Sequence, residues 1–267
     1  MLNQLVDENN VQYFIDLTYK IIPPKYHPYR LLTIKAFNKI TKNTKLCLLI
    51  ALKYEDENSL YYTFKYLKEF YKFNPKLVNI DFSIPLYNAL AKKNLFDKNI
   101  KVITCFFHYS QSIVRKMKAL KLLKKKLNKK SFCLLLNIQI LSFLKEDIID
   151  NYLKFLEKKL DDNNEKELYK YIYNFWINTK GISFINYYDY IKNKNYNGLK
   201  YIFITNNIIE SLHSKISNYL PKGRTTSKGF ILAINPLSSL KEGLQKYFSI
   251  FRFKGTFNWQ AQRLRIL

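Results

Sequence analysis

Tyr13-Phe-Ile-Asp-Leu-Thr-Tyr-Lys-Ile-Ile22 alternates with a period of two. Tyr13, Ile15, Leu17, Tyr19 and Ile21 make one apolar face and Pro23-Pro24 closes the run, which predicts a strand. Asp16 falls on the opposite face, between Phe14 and Thr18. A mid-strand aspartate is unfavourable by propensity, and if its face is covered the carboxylate must be paired, hydrogen-bonded or bound to a metal. On an edge strand it would stand in water instead.

The segments that follow give this strand its neighbours. Residues 30–37 and 45–52 predict two further strands joined by the polar turn Thr41-Lys-Asn-Thr44, hence an antiparallel meander. Glu57-Asn-Ser59 opens a helix to about Tyr71, with Leu60, Phe64, Leu67 and Phe70 on one side. A short strand over 76–80 ends at Asp81, and Ser83 with Pro85 opens a helix over 86–91. Asp81 thus stands where α/β sheets place ligands, beyond the carboxyl end of a strand; it could equally be a helix-start acid of structural value. A fifth strand over 101–105 runs into Phe106-Phe-His-Tyr-Ser-Gln111 and a helix. From Arg115 to Lys130 Lys crowds among Met117, Leu120, Leu123 and Leu127, a basic amphipathic pattern that suits phosphates, a membrane surface, calmodulin or the wet face of a bundle. Residues 131–196 read as helical, with an acidic break at Asp161-Asp-Asn-Asn-Glu165.

A second decisive stretch is Thr205-Asn-Asn-Ile-Ile-Glu-Ser-Leu-His-Ser-Lys-Ile-Ser-Asn-Tyr-Leu220. Asn207 is a good N-cap, which puts Glu210 third in the helix as the far half of a capping box. Ile209, Leu212, Ile216 and Leu220 make an apolar stripe, while Glu210, His213, Ser214 and Ser217 share a polar face. Glu210 either only caps this helix or projects from it into a site.

Forty-five Lys and Arg against twenty Asp and Glu leave a formal charge of +25, which favours a polyanionic partner such as nucleic acid, or an anionic membrane surface. Part of that excess follows from the Lys, Asn, Ile, Tyr and Phe usage that an AT-rich coding sequence produces. Hydrophobic content of 48% is ample for a buried interior. Cys47, Cys105 and Cys133 include no Cys-x-x-Cys pair, so neither a disulfide framework nor a four-cysteine zinc site is indicated and a reduced, intracellular chain is expected. The first residues lack a basic segment followed by an apolar one, and no run approaches the roughly 18 apolar residues of a membrane span. We therefore expect no signal peptide and no membrane association.

The order β-β-β-α-β-α-β-α is that of the ribonuclease-H-like fold, so an α/β, retroviral-integrase-like mixed five-stranded sheet is expected, with an all-helical insertion before the last catalytic helix. The expected division is a first core part over 1–111, the insertion over 112–200, the core helix over 201–235 and a basic tail over 236–267. The active site of that fold uses an acid on the first strand, an acid just after the fourth and an acid on a later helix. Asp16, Asp81 and Glu210 occupy those places.

Four motifs resemble the catalytic domain of Mutator-like (MULE) transposases, the DDE group with a helical insertion before the glutamate. Phe14-Ile-Asp-Leu-Thr-Tyr-Lys20 is similar to the family's Asp-Gly-Thr-Phe strand. Ile80-Asp-Phe82, with a helix holding Ala89, resembles the second aspartate segment. Cys105-Phe-Phe-His108, with Gln111 and Arg115 after it, resembles the Cys-x-x-His motif. Thr205 to His213 resembles the glutamate segment. The resemblance implies Asp16, Asp81 and Glu210 as catalytic residues and ligands of Mg2+ or Mn2+, which prefer oxygen donors. It implies cleavage of transposon DNA and strand transfer to target DNA, self-association, no small-molecule substrate and a nuclear location. Cys105 and His108 alone are half of a zinc site, with no second pair at ligand spacing; a His oriented to the active site or the DNA is the expected arrangement. Lys222, Arg224 and Lys228, in the loop after the Glu210 helix, and Arg115 are the expected DNA contacts. Leu17 stands where the family has Gly, and Ser83 where a Glu is usual. The sequence opens shortly before the first strand, so the zinc-finger-type targeting region of such transposases is expected to be missing, as in a fragment, a decayed copy or a domesticated, non-catalytic nucleic-acid-binding derivative.

Overall fold

The computed structural model describes residues 10–19, 22, 29–92, 94–96, 100–123, 129–192 and 203–219. Strand β1 (Val11–Thr18) pairs antiparallel with β2 (Arg30–Asn38), and β2 pairs antiparallel with β3 (Thr44–Leu52). On its other side β1 is parallel to β4 (Leu77–Ile80), and β4 is parallel to β5 (Lys101–Thr104). The result is a mixed five-stranded sheet in the order β3-β2-β1-β4-β5. β1 lies at its centre, which removes the edge-strand alternative for Asp16. β1 ends at Thr18, short of the Ile22 to which the alternation ran; Tyr19 is exposed beyond it and its carbonyl accepts from the Ile22 amide at 3.1 Å, the bond of a turn.

The period-two pattern sorts the two faces. Tyr13, Ile15, Leu32, Ile34, Val78 and Ile80 pack with Leu60, Phe64 and Leu67 of α1 (Glu57–Tyr71) and with Leu86. Asp56 caps α1, its carboxylate accepting from the Ser59 amide at 3.0 Å, and Lys72 closes it in the left-handed region at φ 54. Ser83 caps α2 (Ile84–Tyr87), Pro85 sits in its first turn, and a π-helical turn (Asn88–Lys92) continues it. On the other face Phe14 and Phe37 pack with Phe203 and Ile209, and Leu77 and Ile103 with Phe106 and Tyr187. Both faces are therefore covered, so the side chains of Phe14, Asp16 and Asn79 lie inside a layer and not in water.

Helix α3 (Phe106–Ala119) leaves β5 directly. The basic stretch from Arg115 to Lys130 is not one helix, as its pattern suggested: α3 ends at Ala119, Lys121 turns left-handed at φ 57, and α4 (Lys129–Ile140) starts afresh. Met117 of α3 and Leu134 of α4 meet in one buried core. Helices α5 (Glu146–Lys158), α6 (Asn163–Tyr171) with its π-helical continuation (Ile172–Lys180), and α7 (Tyr188–Lys192) complete the insertion. The acidic break falls between α5 and α6, where Asp162 and Glu165 form a capping box and Lys130 reaches Glu165 at 3.0 Å. Tyr109, Ile113, Leu134, Ile138, Leu153 and Trp176 belong to the insertion's own core. Trp176 joins it to the chain after β4 through an edge contact with Phe82, ring centroids 4.7 Å apart.

The chain returns to the sheet at Phe203. Gln12 donates to the Phe203 carbonyl at 2.7 Å and accepts from its amide at 3.0 Å, Asn79 donates to the same carbonyl at 2.8 Å, and the Phe106 amide donates to the Ile204 carbonyl at 2.7 Å. Gln12 and Asn79 are fully buried, and these bonds offset the cost of placing both amides inside the layer, with Asn79 Oδ1 left without a partner. Helix α8 (Asn207–Tyr219) follows and lies on β1 and β2. Among the described residues no helix is long and apolar enough to cross a membrane.

Candidate metal centre

β1 and β4 run parallel with Ile15 opposite Ile80. Asp16 and Asp81 are the next residue of each, so the two acids leave neighbouring strands side by side on the face that α8 covers. Their electrostatics agree with that placement. Burial first, and then the charge of Asp16, push the Asp81 carboxyl up from 3.8 to about 7, against a backbone hydrogen bond from Ser83 that lowers it. Glu55, in the loop between β3 and α1, raises it further. Nothing in the sequence singles out Glu55, whose own partner is Arg30 at 3.4 Å.

Asp16 is held from two sides. Its Oδ1 accepts from the Leu17 amide at 2.9 Å, and its Oδ2 lies 3.3 Å from His213 Nδ1. The other ring nitrogen of His213 is 2.9 Å from Thr33 Oγ1. Thr33 sits opposite Asp16 in the β1–β2 register, so the ring of His213 closes a bridge between two cross-strand neighbours. The order hydroxyl, imidazole, carboxylate is that of a nucleophilic triad. Thr33, however, is fully buried in mid-strand and no substrate can reach it; the bridge orients Asp16.

Glu210 is placed differently from the capping-box expectation. The Asn206 carbonyl accepts from the Ile209 and Glu210 amides at 2.9 and 3.2 Å, so Asn206 and not Asn207 is the N-cap, and Glu210 is fourth in α8. From the fourth position a side chain has rotated too far to reach back to the cap amide. The carboxylate turns instead to α3, where Oε1 lies 3.4 Å from His108 Nε2. Ser214 and Ser217 are exposed, whereas Glu210 and His213 are partly buried, so the polar face splits into an inward and an outward half.

Cys105 is the N-cap of α3 and His108 its third residue. An N-cap side chain and the third helical residue lie over the same turn, which is why Cys-x-x-His brings thiol and imidazole together here. The Asn206 amide donates to Cys105 Sγ at 3.1 Å and ties the start of α8 to the start of α3. Burial pushes the Cys105 thiol up, and the amides of His108, Asn206 and Phe107 pull the other way.

Two donor sets result. Asp16 and Asp81 offer only oxygens, and burial, then the charge of Asp16, raises Asp81; such a pair fits a hard divalent cation such as Mg2+ or Mn2+. The Glu210 carboxylate faces His108. Among the described residues the group whose ligand atoms all lie within 4.8 Å of one another is Cys105, His108 and Glu210. Arg115 lies on the exposed side of α3, donating to Gln111 Oε1 at 2.6 Å; Lys222, Arg224 and Lys228 lie outside the described residues. A scan against protein-family models finds none that matches the chain, and a search of the curated proteins returns no match.

Proposed function

We propose that the chain is the ribonuclease-H-like catalytic domain of a DDE-type DNA transposase, or a derivative of one. The observation that carries this reading is the acid pair Asp16–Asp81 at matching places on adjacent parallel strands, with Glu210 on a helix that follows an all-helical insertion. A divalent cation bound at such a pair neutralises the carboxylates and polarises the attacking and leaving oxygens of an in-line phosphoryl displacement. Asp16 and Asp81 would hold it. His213 and Thr33 keep the Asp16 carboxylate in one orientation, and Glu210 completes the acidic set when its side chain turns from α3 toward the pair. The charge of +25 suits transposon and target DNA as the anionic partner, with Arg115, Lys222, Arg224 and Lys228 as phosphate contacts.

Calorimetry with Mn2+ tests the centre. Saturable binding is expected for the wild type, with affinity at least tenfold weaker in Asp81→Asn and in Glu210→Gln. Binding indifferent to both changes would favour the second reading, a nucleic-acid-binding derivative without catalysis, which is supported by Glu210 standing with His108. DNA affinity separates the remaining alternative of a basic scaffold. Affinity should fall steeply with salt, and replacing Lys222, Arg224 and Lys228 together by Ala should flatten the log–log slope by about 2 to 3 on duplex DNA. An unchanged slope removes those three from the interface.

A further inference from the structure

Cys105, His108 and Glu210 differ in kind from the acid pair. A thiol, an imidazole and a carboxylate, set on two helix starts that the Asn206–Cys105 bond holds together, present ligand atoms within 4.8 Å of one another. His108 Nε2 and Glu210 Oε1 are 3.4 Å apart without hydrogen-bond geometry. That spacing matches two ligands of one ion, since bonds of 2.0–2.3 Å in a tetrahedral zinc site separate the ligand atoms by about 3.3–3.8 Å. Glu210 Oε1 and His108 Nδ1 are buried atoms with no hydrogen-bond partner, as are both side-chain polar atoms of the fully buried Asn206 beside them. Buried polar atoms left unpaired are destabilising, and native proteins resolve such clusters with water or an ion. The mixed sulfur, nitrogen and oxygen set selects a borderline-soft cation over Mg2+.

We propose that Cys105, His108 and Glu210 form a three-ligand site for a zinc-class divalent cation, with a fourth position open to water or an anionic oxygen. A second consequence rests on the function proposed above: Glu210 cannot serve both sets at once, so zinc at this site withdraws the third acid from Asp16 and Asp81 and weakens Mn2+ binding there.

Co2+ added to the full chain is the probe, because a thiolate ligand gives cobalt an intense charge-transfer absorption. One equivalent should produce that band, and Zn2+ should displace it. Cys105→Ser should abolish the band and His108→Gln should weaken Co2+ binding at least tenfold. Circular dichroism checks that each variant folds; His108 is partly exposed, so His108→Gln keeps the test valid if Cys105→Ser does not fold. Absence of the band, or a band indifferent to His108→Gln, overturns the site. With Zn2+ saturating, Mn2+ affinity should fall at least tenfold. Unchanged Mn2+ affinity overturns the sharing of Glu210, whereas a cobalt site in a protein that never binds Mn2+ would sink the proposed function and leave this site standing.

Discussion

Asp81→Asn should stabilise the metal-free protein at pH 8 by about 2–4 kcal/mol while removing its Mn2+ binding. The Asp81 carboxyl is raised from 3.8 to about 7 in the folded chain, so the native state holds a proton there more tightly than the unfolded state does. The favourable contribution is complete below about pH 4 and is lost as pH rises through 7. At pH 8 the folded protein carries a buried, unneutralised carboxylate beside Asp16, and three pH units at about 1.4 kcal/mol each set a ceiling near 4 kcal/mol. Urea unfolding without divalent ions should thus show wild type gaining stability from pH 8 to pH 5, and Asp81→Asn losing that dependence. A structural acid behaves oppositely: if Asp81 merely started α2, its replacement would destabilise at pH 8, and that result would remove it from the site. Saturating Mn2+ should reverse the order of the two proteins.

Trp176→Ala should cost about 3–5 kcal/mol, the range for deleting a large buried aromatic side chain. Trp176 is 2% exposed, with its ring against Phe82, Tyr109 and Phe175 at centroid distances of 4.7, 5.1 and 5.1 Å. Phe82 follows Asp81 directly, so the cavity should also loosen the loop that aims the carboxylate, and Mn2+ affinity should fall several-fold. The indole Nε1 has no hydrogen-bond partner. Trp176→Phe therefore breaks no bond, and should cost about 1–2 kcal/mol and leave metal affinity close to wild type. Equal losses in the two variants, or Mn2+ affinity untouched in Trp176→Ala, would show that the insertion packs beside the centre without supporting it.

Much of this arrangement was legible where the signal is local. Period-two alternation marked β1, short apolar runs marked the other four strands, Ser83 and Pro85 marked the start of α2, and the acids Asp16 and Asp81 were found from their places on strands. Strand pairing in the order β3-β2-β1-β4-β5 then set the two side by side. Contacts that depend on closure over long sequence distances were not legible. Thr33 has meaning only through its register opposite Asp16 and through His213, 180 residues away. Cys105 and His108 lacked a third donor until α8 brought Glu210 to them. The one-residue error in the start of α8 came from choosing between two adjacent asparagines, Asn206 and Asn207, which are equally good caps by residue type. The basic stretch from Arg115 to Lys130 misled because lysine is tolerated in helix and turn alike, and nothing in its spacing announces the left-handed Lys121.

The buried amides Gln12 and Asn79 set the order of assembly. The sheet closes over shorter spans, the longest being β1 with β4, where Tyr13 stands opposite Val78, whereas Gln12 meets Phe203 across 191 residues and Asn79 meets it across 124. Closures of that span carry the largest entropy cost and form late. A chain emerging from synthesis would thus set Asp16 beside Asp81 well before α8, with Glu210 on it, docks on the sheet.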